Sequence, residues 1–405
     1  MQEARLQARL EAHQRVSRMV LASWWPRRSR RGARPEEPPT THSELCEWVR
    51  IVDGAGLSYL LLMIMMNTVV WLYPAFIACS GARAVLADSV PDALRSVCGG
   101  FAMYSSGAAA FLWAFRRRPI LAVVRRALDM AAGGQGGGLG AHAADLEQDG
   151  ARLARSLRAS SWAMRRVRRY GFTYIVVGSA LASLEQFAAS PAIPPCLQVG
   201  EGASVHLRIT ISLAESFKWS CGATYFFSMW LLILTLLMFM ETQYALLSVR
   251  LRTAKGLREV AECVERMSEM MQFENDMRAI FFTGVLHMLA GALLVPLINT
   301  YQLLFGPRTM FSALTLSTLP LVYGSMSLLG DRLALGCDEV RFAAYSGDWP
   351  DEEPRVRRLR VMLMQSCSRG APFAVRGLGD FTRGAAYHVL KTWYQYLNLL
   401  ISTVA

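Results

Sequence analysis

Charge, histidine and clustered cysteine are all in short supply in this chain. Only 18% of its 405 residues are charged while 53% are hydrophobic, with a mean hydropathy of +0.25. A soluble domain of this size carries more charge and less apolar surface, so an ordinary soluble fold is excluded. Histidine occurs six times, with no His-Glu-x-x-His and no paired His/Asp set, which removes the common zinc hydrolases. The eight cysteines include no Cys-x-x-Cys pair and no Cys/His cluster, so neither a structural zinc site nor a dithiol redox motif is expected. No Asn-x-Ser/Thr sequon occurs, and N-glycosylation is not expected. Nor is a signal peptide visible. The first long apolar run starts near residue 54, so the first span is expected to act as an uncleaved signal anchor.

What the chain does have is apolar blocks. Uncharged runs cover 54–82, 96–115, 170–184 (extending past Glu185 to about 200), 219–240, 279–307 and 309–330, with a weaker block at 384–404. A helix crossing a bilayer needs ~20 mostly apolar residues, so six blocks qualify and the last is marginal. The basic residues between them are one-sided. Segments 1–53, 115–170, 247–278 and 331–377 carry 10, 12, 6 and 8 Lys and Arg, 36 of the 43 in the chain. Positive loops stay cytoplasmic. The expected fold is an all-α, seven-transmembrane-helix bundle with an intracellular N-terminus and an extracellular C-terminus, amphipathic cytoplasmic helices extending the spans. That orientation is the reverse of a G-protein-coupled receptor. The net charge of +12 does not call for nucleic acid, because contact with anionic inner-leaflet lipid explains loop-bound arginines more simply.

Four segments organise the chain. Residues 1–53 are expected to be a cytoplasmic amphipathic and disordered region, with Trp24 and Trp25 followed by Arg27, Arg28, Arg30 and Arg31. Glu3 and Glu11 argue against a mitochondrial transit peptide. Residues 54–330 hold six spans, 331–377 form a cytoplasmic anchor segment, and 378–405 the last span. The glycine run 133–140 follows no strand and precedes no Gly-Lys-Ser/Thr, so it reads as a linker, not a phosphate cradle. The outer loop 191–218 is long enough to act as a lid, and 250–278 reads as a charged helix projecting inward. Residues 305–308 make a tight outer turn. A bridge between Cys196 and Cys221 is conceivable, but free buried thiols are the preferred reading.

No pairing of nucleophile and base suggests catalysis. His287 and His388 each stand alone in a span, where a hydrogen bond to a neighbouring helix is the simpler role. Glu185 reads as a structural carboxylate. Enzymes, metals and cofactors are therefore not expected. In the last block Lys391 or Thr392, Gln395, Leu399, and Ser402 with Thr403 share one helical face. A polar stripe interrupted by leucine suits a helix lining water, the leucine closing it by dewetting. An ordinary buried helix bonded to its neighbours fits the periodicity equally well.

The C-terminal 75 residues break that tie. Gly330-Asp331-Arg332-Leu333, then Ala344 to Trp349, Leu363-Met364-Gln365 and finally Leu390 to Leu397 occur in order. Together they resemble the C-terminal signature of insect odorant receptors, with Tyr345 and Trp349 as its Tyr-x-x-x-Trp pair; Gln395 stands where that family usually has Ser. The tail lacks the Thr-Tyr…Gln-Phe pattern of gustatory relatives, and 247–278 is too short for the coreceptor's insertion. The resemblance implies a ligand-tuning subunit that assembles with the common coreceptor as a heterotetramer. The assembly would be an odorant-gated, non-selective cation channel in the plasma membrane of a sensory-neuron dendrite. By position it implies Leu399 as gate, Gln395 and Thr403 as pore lining, and Tyr345 and Trp349 as subunit anchor. Small volatile odorants would enter an apolar pocket in the outer half of the bundle. Residues at that depth, counted from the span ends, are Phe101, Tyr104, Ser105, Leu181, Leu184, Tyr225, Phe226, Phe311 and Thr315. A gustatory-type channel and a seven-helix transporter are the competing readings.

Overall fold

The computed structural model describes residues 73–82, 84–87, 90–133, 166, 169–181, 184, 204–305, 310–346, 351–368, 374–375 and 379–404. The N-terminal segment 1–53, most of the first span, the 134–140 part of the glycine run, Glu185, Cys196, the 306–308 turn and Trp349 lie outside them. Among the described residues the chain is helical apart from one short ladder. After a helical stretch at 73–82 come α1 (Val90–Phe115) and α2 (Arg117–Gly133), and a further helical stretch covers 169–181. Then follow α3 (Val205–Thr253), α4 (Leu257–Phe305), α5 (Met310–Leu316), a π-helical turn (Pro320–Gly324) and α6 (Ser325–Tyr345). The C-terminal part adds α7 (Pro354–Cys367), the strands β1 (Ala374–Val375) and β2 (Gly379–Asp380), and α8 (Arg383–Val404).

Four of these helical stretches, 96–115, Val205–Thr253, Leu257–Phe305 and 312–345, are long and apolar enough to cross a membrane. Lys391, Thr392, Gln395 and Asn398 dilute α8 below that standard. α3 is the central helix. It is apolar on every side from Met229 to Met240, and a helix of that kind belongs inside. Ser204 starts it by accepting a hydrogen bond from the Leu207 N–H at 3.3 Å. This corrects the expected outer loop 191–218, because residues 205–218 already belong to the helix of the fourth span. The expected inner helix 250–278 is corrected as well. It is broken at 254–256, where Ala254 donates back to the Arg250 carbonyl, and α4 then runs unbroken through the fifth span.

Around α3 pack α6, α1 and α4, and α8 lies on α4 and α6. Gly336 of α6 allows close approach, since a Cβ there would lie 3.1 Å from the Tyr244 Cβ. The π-helical turn begins at Pro320, which has no N–H for the Leu316 carbonyl. The strands form an antiparallel ladder with Ala374 opposite Asp380, just before α8, β1 inside the stretch expected to be an amphipathic anchor and β2 at the start of the expected last span. Cys221 is a free, fully buried thiol, as preferred from the sequence.

One contact locks the corner between α3 and α4. Arg360 on α7 is almost wholly buried and pairs with Glu352 at 2.7 Å. Its guanidinium also donates to the carbonyls of Ala254 at 3.0 Å and Leu251 at 3.5 Å. The last carbonyls of a helix lack intrahelical partners and carry partial negative charge, so a cation there is doubly favoured.

Candidate functional site

Side chains from five elements meet at the end of the bundle away from Arg360. Cys98 and Ala102 of α1 pack with Val295 and Ile298 of α4, and Phe101 and Trp219 (α3) lie against them. The helical stretch 169–181 comes close to Trp219. A Cβ at Gly178 would stand 2.8 Å from the indole nitrogen and 3.4 Å from Leu314, so glycine is what lets this backbone approach. Tyr174, on the same stretch, has its ring centroid 6.5 Å from Trp219 and 5.0 Å from Phe227.

A polar seam runs through this junction. Asn299 Nδ2 donates to the Thr315 hydroxyl at 2.5 Å, and Thr315 donates to the Ser312 carbonyl at 2.7 Å. Cys98 Sγ donates to Asn299 Oδ1 at 3.4 Å. Thr318 donates to the Tyr174 hydroxyl at 3.0 Å, and Ser179 and Ser220 share a bond of 2.7 Å. In apolar surroundings each of these groups needs such a partner.

Of the residues expected from the sequence, Phe101 and Thr315 belong to this junction. Ser105 is buried one turn below, where Gly291 leaves room for it. Tyr225 and Phe226 are buried in the central core beside Phe227. Leu181 is half-buried and Leu184 is 65% exposed. Tyr104 is partly exposed and bonds to His287 Nδ1 at 2.8 Å, so that histidine has the inter-helix role expected for it. Phe311 falls on α5, its side chain outside what is described. Trp219, Asn299, Tyr174 and Thr318 were missed. The available signal was Asn299 and Gln302, two amides one turn apart inside the uncharged run 279–307.

The second feature is α8. Thr382 accepts from the Ala385 N–H at 3.2 Å and caps it, while Asp331 accepts from the Arg383 N–H at 3.1 Å and pairs with its guanidinium at 2.9 Å. Gly330 sits directly against the Phe381 carbonyl, where any Cβ would collide. The Gly330-Asp331 motif is thus a docking point for the start of α8. Along the helix, Val389 and Trp393 pack on the core and Leu397 is buried. Lys391, Thr392, Gln395, Leu399 and Ser402 are exposed along the opposite side. The side chain of Thr403 lies outside the described set. Tyr345, at the end of α6, is 70% exposed.

A sequence model of the 7tm odorant receptor family matches residues 142–394. The chain belongs to this family. As an odorant receptor family member it is a chemosensory receptor and not an enzyme. Solved structures of the olfactory receptor OR5 from the insect Machilis hrabei share its fold. The complex with eugenol matches with a TM-score of 0.70 at 12% identity, over 98% of this chain and 99% of that one. A second structure of the same receptor gives 0.68 at 11% identity, over 96% and 97%. No curated protein sequence matches this odorant receptor family chain.

Proposed function

We propose that this chain is the ligand-tuning subunit of an odorant-gated, non-selective cation channel, assembled with the common insect coreceptor as a heterotetramer. The chain crosses the plasma membrane seven times, N-terminus inside and C-terminus outside. Residues 54–330 bind small volatiles in the outer half of the bundle, 331–377 anchor the subunits, and α8 lines the pore. The observation that carries this reading is the division of α8. One face packs on its own subunit, and the other presents Gln395 and Leu399 outward with nothing among the described residues covering them. A polar stripe on a membrane helix needs water or a partner. A shared pore gives it both, with Leu399 as the constriction. The junction around Trp219, Phe101 and Thr315 supplies the odorant site, and Machilis OR5, whose solved complex holds eugenol, shows that this fold accommodates a small aromatic volatile. The test is whole-cell current from cells expressing the chain with and without the coreceptor under a broad volatile panel. Odorant-evoked cation current only on co-expression is the expected result. Current from the chain alone would favour a self-sufficient, gustatory-type channel, and silence in both despite surface expression would overturn the channel reading.

A further inference from the structure

The junction holds more hydrogen-bonding capacity than the protein uses. Asn299 and Gln302 stand one turn apart on α4, each 3% exposed. A side-chain amide offers two N–H donors and a carbonyl with two acceptor positions. Asn299 spends one donor on Thr315 and accepts only the weak thiol of Cys98. Gln302 Nε2 is buried with no partner at all. Buried polar groups in folded proteins are nearly always satisfied, so an unmet donor at this junction calls for an occupant. Around the two amides the walls are apolar. Val295 and Ile298 lie on the same side of α4, opposite Leu94, Val97 and Phe101 of α1.

We infer that Gln302 and Asn299 form the polar handle of the odorant site, and that the handle takes a volatile carbonyl compound: a ketone, aldehyde or ester on a compact apolar body. The inference rests on the receptor reading above and adds the ligand class. The unmet group is a donor, so it requires an acceptor. A carbonyl supplies one and brings no donor of its own, whereas an alcohol also carries a hydroxyl proton that must share the Asn299 carbonyl with Cys98. A hydrocarbon of the same shape leaves the amide as unmet as before. Sites built to hydrogen-bond a ligand reject the analogue that lacks the group more strongly than apolar pockets reject a change of size.

The experiment uses matched probes on one skeleton: acetophenone, 1-phenylethanol and ethylbenzene, then 2-heptanone, 2-heptanol and heptane. Two readouts are taken, current in cells co-expressing the coreceptor and the ligand-induced shift in unfolding temperature of the purified full chain. In the wild type each ketone should act at a concentration about 10-fold below its hydrocarbon, the factor one hydrogen bond supplies. Gln302→Leu should bring the two to within about 3-fold by weakening the ketone alone. It should also unfold, without ligand, at an unchanged or higher temperature, because it deletes an unsatisfied group. A merely structural glutamine would lower that temperature and shift ketone and hydrocarbon alike, which overturns the proposal. Asn299→Leu, which removes the second amide of the handle and leaves Gln302 untouched, provides a second variant with the same predicted loss of preference. Alcohols outranking ketones, or hydrocarbons acting as well as ketones, would also overturn it. A ketone-specific temperature shift that depends on Gln302, without any current, would sustain the handle and sink the channel reading; no shift with any probe sinks the handle.

Discussion

Arg360 shows how much one side chain can hold. It is 1% exposed, yet every contact it makes is to a carboxylate or to the loose carbonyls ending α3. Arg360→Ala strands Glu352 and uncovers those carbonyls, and should cost ~3–5 kcal/mol, the usual loss when a buried pair is broken. Thermal unfolding of the purified protein would measure it, and Arg360→Met combined with Glu352→Leu should recover most of the loss. At Gly291 the argument is steric. A Cβ there runs into Ser105, so Gly291→Ala should destabilise by ~1–3 kcal/mol, with Ser105→Gly restoring stability in the double variant. At this scale the sequence was only partly legible. Span-end counting named Phe101 and Thr315, and the structure brings both to the junction, Thr315 buried and Phe101 half-buried. It also nominated Tyr104 and Leu184, which are exposed, since depth along a span says nothing about the direction a side chain faces. The role of Arg360 was invisible, because the carbonyls it holds lie about a hundred residues away in sequence.

At the scale of elements α8 is the clearest case of pattern becoming structure. The 3.6-residue period put Gln395, Leu399 and Ser402 on one side, and the structure leaves that side bare while Val389, Trp393 and Leu397 are covered. Leu399→Ala should raise basal current in channels assembled with the coreceptor, read as holding current in the absence of odorant. An unchanged basal conductance at equal surface expression would remove Leu399 from the gate. The start of α3 was less legible. Residues 205–218 mix His, Arg, Glu and Lys into an apolar stretch, so they fail a membrane-span test while still satisfying helical geometry. Ser204 was the available sign of a helix start. The break at Pro320 follows from proline chemistry, and the π-helical turn that forms there packs on α4 and α8.

Across the whole molecule apolar side chains remain uncovered on the C-terminal anchor: Leu335, Phe342 and Tyr345 on α6 and Met362 on α7 are each more than half exposed. Contiguous surfaces of this kind mark contact with a partner. Phe342→Glu should therefore reduce co-purification with the coreceptor several-fold while leaving the unfolding temperature of the isolated chain unchanged, since a half-exposed ring contributes little to its own fold. The overall class was legible from block length and one-sided charge; how the helices are ordered around α3 was not, because every apolar run looks alike until packing chooses one for the centre. That choice has a mechanical side. Forty-nine unbroken residues make α3 a rod of ~73 Å, more than twice the ~30 Å of bilayer hydrocarbon. Trp219 stands in its N-terminal half and Arg360 grips the far end. A rod clamped at its tail and wedged along its middle tilts as one piece, so a nudge against Trp219 becomes displacement of α7 at the opposite end. The proposed odorant site and the proposed anchor segment are thus the two arms of a single lever.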